Sequence, residues 1–168
     1  MKKTILAFIL LLCASAPALY AQTMNEIRRD SFSLKYPEKW KIDKDDPDYD
    51  PDALFSIDAP DDQNLIMFFV FNTVIDSDEM LTEQIKSLSG SLLKNPEISD
   101  FSQWGKYKGK GKIVKGKFLG VYKGYIRLFC YADNHKSMFV MEQVYESTTD
   151  NVKNELKAIS DSFTFKKQ

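Results

Sequence analysis

Hydrophobic and polar residues alternate along much of this chain, a pattern typical of strands that bury one face. Four such strands are predicted in the first half, at residues 31–36, 40–44, 53–59 and 65–74. Residues 65–71 contain no polar side chain, which predicts a central strand covered on both faces. About four further antiparallel strands are predicted within residues 101–145, with turns near 109–111, 120 and 133–136.

Two segments repeat apolar residues at helical spacing instead. The first begins with Asp76 and Glu79 in a capping-box arrangement, and its apolar stripe is Leu81, Ile85, Leu88 and Leu92. Pro96 is expected to end this helix. The second begins near Thr149, and its stripe is Val152, Leu156, Ile159 and Phe163. Hairpin-linked strands with separate helices predict an α+β fold, a mainly antiparallel β-sheet flanked by helices in an αβα sandwich.

The first 21 residues have the features of a secretory signal peptide. Lys2 and Lys3 precede an apolar stretch at 5–12, and small residues follow it. Cleavage is expected after Ala21, with Ala18 as the alternative site. The sequence therefore predicts an exported protein, either periplasmic or secreted.

Cys13 offers a rival interpretation, in which the protein is a lipoprotein anchored through this residue. Leu12 before it and the apolar segment after it fit a lipidation site poorly. If the signal is removed, Cys130 is the only cysteine of the mature chain, so no disulfide can form within the molecule. Strand alternation places Cys130 on an apolar face with Ile126 and Leu128, which predicts a buried and inert thiol.

The composition is that of one ordinary globular domain. The chain has 168 residues, of which 43% are hydrophobic and 13% aromatic, and this excludes a disordered protein. We expect an N-terminal arm at 22–30, either mobile or a short helix, followed by a single domain at 31–168. No second long apolar run follows the signal, so the mature form is expected to have no transmembrane span.

Basic residues are concentrated in one segment. Residues 101–132 contain no Asp or Glu and hold eight basic residues, Lys106, Lys108, Lys110, Lys112, Lys115, Lys117, Lys123 and Arg127. Loss of Lys2 and Lys3 leaves 21 basic against 24 acidic residues, a net charge of −3, so the segregation of charge is the signal. A solvated outer face of the sheet would give this pattern, and so would a surface that recognises anions.

The candidate binding site drawn from this segment combines lysines with aromatic side chains that could act as rigid contacts. Its residues are Lys106, Lys108, Lys115, Lys117, Trp104 and Tyr107, with Tyr122 also available. The partner is expected to be an anionic ligand or an unknown envelope protein with an acidic surface. Nucleic acid is not expected, because an exported protein rarely meets it.

The sequence contains few of the residues that catalytic and metal sites need. His135 is the only histidine and lies in a predicted turn, so no catalytic, cofactor or metal site is predicted. Six aspartates crowd residues 43–52, but Pro51 and Ile57 stand where a calcium EF-hand loop needs Gly and Glu. A solvated acidic loop is the interpretation, with an irregular calcium site as the alternative.

Residues 32–42, FSLKYPEKWKI, and residues 156–165, LKAISDSFTF, resemble two segments of the PsbP-like superfamily. The first is similar to the family's opening strand, Tyr-Pro turn and second strand, and the other to its last helix and tail. This superfamily includes the extrinsic photosystem subunit PsbP, DcrB-type envelope proteins and a Ran-binding import factor. The resemblance implies an antiparallel sheet with helices around it and a module that acts by binding. It names no partner.

The function predicted from the sequence is therefore that of an exported, non-catalytic binding domain. Trp40, after the Tyr-Pro turn, is expected to anchor the first hairpin on the core. Two alternatives stay open. One is a small envelope hydrolase that uses the loop carboxylates, and the other is a carrier of an apolar ligand built on the phenylalanine-rich strands, which hold Phe68, Phe69, Phe71, Phe118, Phe129 and Phe139.

Overall fold

A computed structural model describes residues 23–166, so the predicted signal peptide and its cleavage site lie outside the described residues. The described part contains ten strands and two helices. In chain order these are β1 (Met24–Arg28), β2 (Phe32–Pro37), β3 (Lys41–Asp43), β4 (Leu54–Asp58), β5 (Leu65–Phe71), α1 (Ser77–Ser91), β6 (Leu93–Trp104), β7 (Tyr107–Phe118), β8 (Tyr122–Ala132), β9 (Ser137–Tyr145), α2 (Asp150–Ser162) and β10 (Thr164–Phe165).

Seven strands form one antiparallel sheet in the order β3-β4-β5-β9-β8-β7-β6. β5 lies inside this sheet, as its continuous apolar run predicts. Its residues Ile66, Phe68 and Val70 are buried on one face, and the alternate residues are half-buried on the other. The sequence pattern therefore identified an interior strand of the sheet correctly.

The remaining strands form a three-stranded sheet in the order β1-β2-β10. The expectation of an N-terminal arm at 22–30 is wrong for Met24–Arg28, because this segment is a strand paired with β2. Ile27 lies opposite Leu34, and both side chains are buried. A strand of five residues with one fully buried side chain has too little periodicity to be recognised from sequence.

The two helices cover opposite faces of the large sheet, which we call the α1 face and the α2 face. α1 packs on one face over a cluster that includes Leu81, Phe118 and Phe139. The small sheet and α2 cover the other face over the main core, in which Phe32 and Phe68 stack on Phe163 at centroid distances of 5.7 Å. The predicted α+β sandwich of an antiparallel sheet with helices on it is confirmed.

Both helices begin where their caps predict. The Asp76 carboxylate accepts hydrogen bonds from the backbone N–H groups of Asp78 and Glu79, and Thr149 caps α2. Pro96, however, does not end α1. The helix ends at Ser91, and Pro96 lies within β6 at a bulge between Lys94 and Glu97.

The turn predicted near 109–111 is also wrong, because these residues lie inside β7 and the chain turns at Gly105 and Lys106 instead. Gly109 and Gly111 are needed because neighbouring atoms leave no room for a side chain at either position. A Cβ on Gly109 would lie 2.2 Å from the carbonyl oxygen of Cys130, and one on Gly111 would lie 2.6 Å from the Phe101 ring. Close packing and turns both favour glycine, and the sequence does not separate them.

Candidate functional site

The basic residues of β7 are divided between the two faces of the large sheet. β7 pairs with β8 in unbroken register, so its even-numbered residues face α1 and its odd-numbered residues face the other way. Lys108 therefore lies on the α1 face, whereas Lys115 and Lys117 lie on the α2 face. The four lysines of the predicted site therefore do not share one surface. The sequence pattern did not show this division, because it predicted a turn at 109–111, where the strand is continuous.

Lys106 lies apart from the other three, at the turn before β7. Its ammonium group donates a hydrogen bond of 2.6 Å to the Thr164 hydroxyl and lies 5.7 Å from the centroid of the Tyr107 ring. Tyr107 is half-buried, and its hydroxyl accepts a hydrogen bond from the Phe165 backbone N–H at 2.9 Å. Both residues thus tie the turn to the end of β10.

Trp104 is not available to a partner, since it is 1% exposed. Its indole N–H donates a 2.7 Å hydrogen bond to Oε1 of Glu142, and Arg127 donates a bond of the same length to Oε2. Burial raises the pKa of Glu142, although the Arg127 charge opposes this shift. The sequence suggested an exposed aromatic contact, and the structure instead places a tryptophan that fixes a buried carboxylate.

Lys115 and Lys117 line a groove with Lys123, which belongs to the same basic segment, and with Lys94, which sequence reasoning did not group with them. This lysine groove lies on the α2 face, has a volume of about 330 Å³, and is lined by Lys94, Asn95, Glu97, Lys115, Gly116, Lys117, Lys123 and Glu146. Four ammonium groups and two carboxylates give its lining a net positive charge. The side chains of Lys94, Lys115, Lys117 and Lys123 belong to three different strands.

Strand register brings three of these lysines into one row. Lys117 lies directly opposite Lys94 on β6 and directly opposite Lys123 on β8. Among the four groove lysines, only Lys123 lies within ion-pair distance of a described carboxylate, 3.8 Å from Glu146. The row depends on the β6 bulge and on cross-strand pairing, so the sequence carried no direct signal for it.

A second concavity, of about 400 Å³, lies between the large sheet and α2. Arg127 and Glu142 line it, with Lys153 and Lys157 on the helix side. Both oxygens of Glu142 already accept hydrogen bonds, and the Arg127 guanidinium lies 4.6 Å from the centroid of the Phe101 ring. This pair therefore joins β8, β9 and the Trp104 side chain, which is a structural role.

The acidic loop at 43–52 lies between β3 and β4, at the opposite edge of the large sheet from β6. It does not cover the lysine groove. Asp43, Asp46 and Asp50 each accept a hydrogen bond from the backbone two residues further on. Within residues 23–166, no three carboxylate, histidine or cysteine side chains converge to hold a metal ion.

The residues considered for other chemistry are placed as follows. Cys130 is buried, and burial raises the pKa of its thiol to about 12. His135 is exposed in the turn between β8 and β9. The phenylalanines that suggested an apolar carrier are packed in the two cores, with Phe68 and Phe129 in the larger one. No helix in the described range is both long and apolar enough to cross a membrane.

Comparisons with known proteins identify the fold and leave the family of the sequence unassigned. No family model matches the chain, and no curated protein matches it either. Solved structures do match. Cyanobacterial PsbP (CyanoP) from Synechocystis is 10% identical, with a TM-score of 0.52 over 90% of this chain and 98% of that one. The Ran-binding protein Mog1p from Saccharomyces cerevisiae is 11% identical, with a TM-score of 0.53 over 86% and 96%.

A protein from Bacteroides thetaiotaomicron is 13% identical, with a TM-score of 0.51 over 82% of this chain. The match spans only 46% of that longer protein. At such identities, structural similarity shows the fold alone. The chain has the PsbP-like fold, and the resemblance noted in the sequence is confirmed at that level.

Proposed function

From a PsbP-like fold with a lysine groove at one edge, we propose that this protein is an exported binding module that takes an anionic partner in the groove. The observation that carries the proposal is the row of Lys94, Lys117 and Lys123 across three neighbouring strands. Like charges directly opposite one another destabilise a sheet. A bound anion would offset that repulsion, so the row suits recognition better than it suits folding.

The carboxylates around the groove are too few to neutralise it. Glu97 lies opposite Lys115 in the register, and Glu146 is 3.8 Å from Lys123. Lys94 and Lys117 have no carboxylate opposite them in the register and are exposed, so they are strongly hydrated donors that can rearrange around phosphate, sulfate or carboxylate groups. The groove therefore favours a partner with several negative charges over one with a single carboxylate.

The fold and the remaining chemistry agree with a binding role. One structural neighbour is described as a Ran-binding protein, so this architecture can serve protein recognition. Two of the residues considered for reactive chemistry give no support to a nucleophilic mechanism, because the Cys130 thiol is buried and His135 is exposed in a turn. Export, as predicted from residues 1–21, would place the groove in the cell envelope or outside the cell.

The proposal is tested with the chain from Gln22 onward and two soluble polyanions, heparin and polyglutamate. We expect Lys94→Glu with Lys117→Glu to weaken binding to either polyanion about tenfold or more, because two attractive charges become repulsive. Binding of the unchanged protein should also fall steeply between low and physiological salt, where the Debye length is about 8 Å. Isothermal titration calorimetry at several salt concentrations measures both effects.

A matched control changes the net charge by the same amount elsewhere. Lys86 on α1 and Lys108 on the α1 face of β7 are exposed, so Lys86→Glu with Lys108→Glu removes the same charge far from the groove. This control variant should bind polyanions with nearly unchanged affinity. Equal losses in both variants would show a response to net charge alone and would overturn the assignment of the groove.

A further inference from the structure

The hairpin that joins β7 to β8 projects large apolar side chains into solvent. Leu119 is 72% exposed, Val121 68% and Tyr122 61%, the three most exposed large hydrophobic residues among those described. They are consecutive except for Gly120, so together they form one apolar tip. Single exposed hydrophobic residues are ordinary on a protein surface, but a contiguous group of this kind marks an interaction site.

The backbone of the tip makes these residue types more unusual. Leu119 has φ 50° and Gly120 has φ 77°, and the Val121 N–H donates a 3.0 Å hydrogen bond to the Phe118 carbonyl. Two successive positive φ angles are the pattern of a type I′ turn, which favours Asn, Asp or Gly. A leucine is strained at such a position. Neither core packing nor turn geometry accounts for a leucine at position 119.

The lysine groove lies directly behind this tip. Lys117 and Lys123 flank the hairpin in the sequence and face each other across β7 and β8, and Lys94 completes the row. The molecule thus presents an apolar projection with a row of three lysines beside its base, on the α2 face of the sheet. A bilayer surface has the complementary arrangement, because anionic headgroups lie above an apolar interior.

We propose that the Leu119–Tyr122 hairpin tip inserts into the surface of a membrane that contains anionic phospholipid, while the lysine groove binds the headgroup phosphates. This inference rests on the proposed function, because it names the source of the anion. Leu119 and Val121 enter the boundary between headgroups and acyl chains, and the Tyr122 ring lies at headgroup level, where aromatic side chains with a polar end are favoured. Attachment is peripheral and reversible, since one small tip buries little area.

The test is co-sedimentation of the chain from Gln22 onward with vesicles. This form contains every described strand and helix, and it lacks the apolar stretch at 5–12 that would bind lipid by itself. Vesicles of phosphatidylcholine alone are compared with vesicles that hold equal parts of phosphatidylcholine and phosphatidylglycerol. We expect binding to the anionic vesicles only, with a strong dependence on salt.

The decisive variant is Leu119→Asn with Val121→Ser. Asn is favoured at a positive φ, so this change keeps the turn and should not lower the denaturation midpoint. We expect about a tenfold or greater loss of vesicle affinity, because two apolar side chains no longer enter the bilayer. Affinity for soluble heparin should stay within about twofold, since the lysines remain.

Val74→Ser is the matched control. Val74 is 56% exposed and follows β5, whose last residue pairs with Ser137 at the end of the sheet opposite the tip. This variant should bind vesicles like the unchanged protein. A Val121→Trp variant adds a direct readout of depth, because its extra fluorescence should be quenched by brominated lipid, whereas Trp40 and Trp104 are buried.

The outcomes separate the two proposals. Salt-sensitive heparin binding without vesicle binding would keep the lysine groove as an anion site and overturn membrane insertion. Vesicle binding that is equal in the Leu119→Asn/Val121→Ser variant would also overturn insertion, because attraction would then be purely electrostatic. If the Lys94→Glu/Lys117→Glu variant binds both heparin and vesicles as well as the unchanged protein, the assignment of the groove as an anion site is overturned.

Discussion

At the scale of single residues, Trp40 shows how one side chain holds the first hairpin in place. It is 2% exposed, and its indole N–H donates a 2.7 Å hydrogen bond to the buried Glu155 carboxylate on α2. The same carboxylate accepts a hydrogen bond from Asn151 and lies 2.8 Å from the Lys39 ammonium. The turn before β3 is thereby fastened to a helix more than a hundred residues away in the chain.

We expect Trp40→Ala to lower the free energy of unfolding by about 3–5 kcal/mol, the usual cost of removing a large core ring. Trp40→Phe keeps most of the ring volume but leaves Glu155 without this donor, so it should cost about 1–3 kcal/mol. Denaturation in urea measures both. Tyr122→Ala, at an exposed position, should leave the midpoint nearly unchanged. Equal midpoints for Trp40→Ala and the unchanged protein would contradict the anchoring role.

Cys130 provides a prediction about pH. Burial raises its pKa to about 12, above the ordinary value of 9.0, so the folded protein keeps the thiol protonated. The buried neutral thiol makes its full contribution to stability below pH 9, the ordinary pKa. This contribution is lost as the pH rises from about 9 towards 12, because the unfolded chain can then release the proton and the folded protein cannot. We expect a disulfide reagent at pH 8 to modify Cys130 only in denaturant. Rapid modification of the folded protein would contradict the buried placement.

At the scale of secondary structure, β1 provides the sharpest test, because its segment was expected to be an arm. Ile27 is 5% exposed and packs in the main core. Ile27→Ala should therefore lower the free energy of unfolding by about 2 kcal/mol or more. Arg28→Ala, on the exposed side of the same strand, should cost little, since surface ion pairs such as Arg28 with Glu26 contribute weakly. If Ile27→Ala and Arg28→Ala changed the free energy of unfolding by similar small amounts, β1 would not be held against the core.

Local signals were sufficient for the starts of both helices and for most strands. Asp76 and Thr149 cap helices through atoms only two or three residues away, and β5 is apolar throughout. The prediction failed where a residue type has two possible causes. Glycine occurs both in turns and where strands pack closely, and Gly109 makes room for β8 instead of forming a turn.

The lysine groove was only half predictable. Lys115 and Lys117 alternate on one strand, which the sequence shows, but Lys94 reaches them through a bulge at Asn95 and Pro96. Trp104 was misplaced for a related reason. Its burial depends on the Glu142 carboxylate on β9, 38 positions away, and no local pattern announces that partner.

At the scale of the whole molecule, acidic and basic residues are concentrated at opposite edges of the large sheet. The aspartate-rich loop at 43–52 lies by the β3–β4 edge, and the lysine groove lies by the β6–β7 edge. A net charge near zero therefore conceals two poles. Near an anionic surface the acidic pole would be repelled and the basic pole attracted, so we expect the molecule to turn its β7–β8 hairpin towards that surface before contact.

The small sheet joins the first and last strands of the described chain on either side of β2, and this has a consequence for when the protein can fold. Thr164 pairs with Ser33, and the Ser162 hydroxyl bonds the Lys35 backbone across a separation of 127 residues. Contacts between such distant residues form late, since a long loop must close first. The small sheet therefore cannot be completed until β10 has been synthesised, so its closure belongs to the last stage of folding of the described chain.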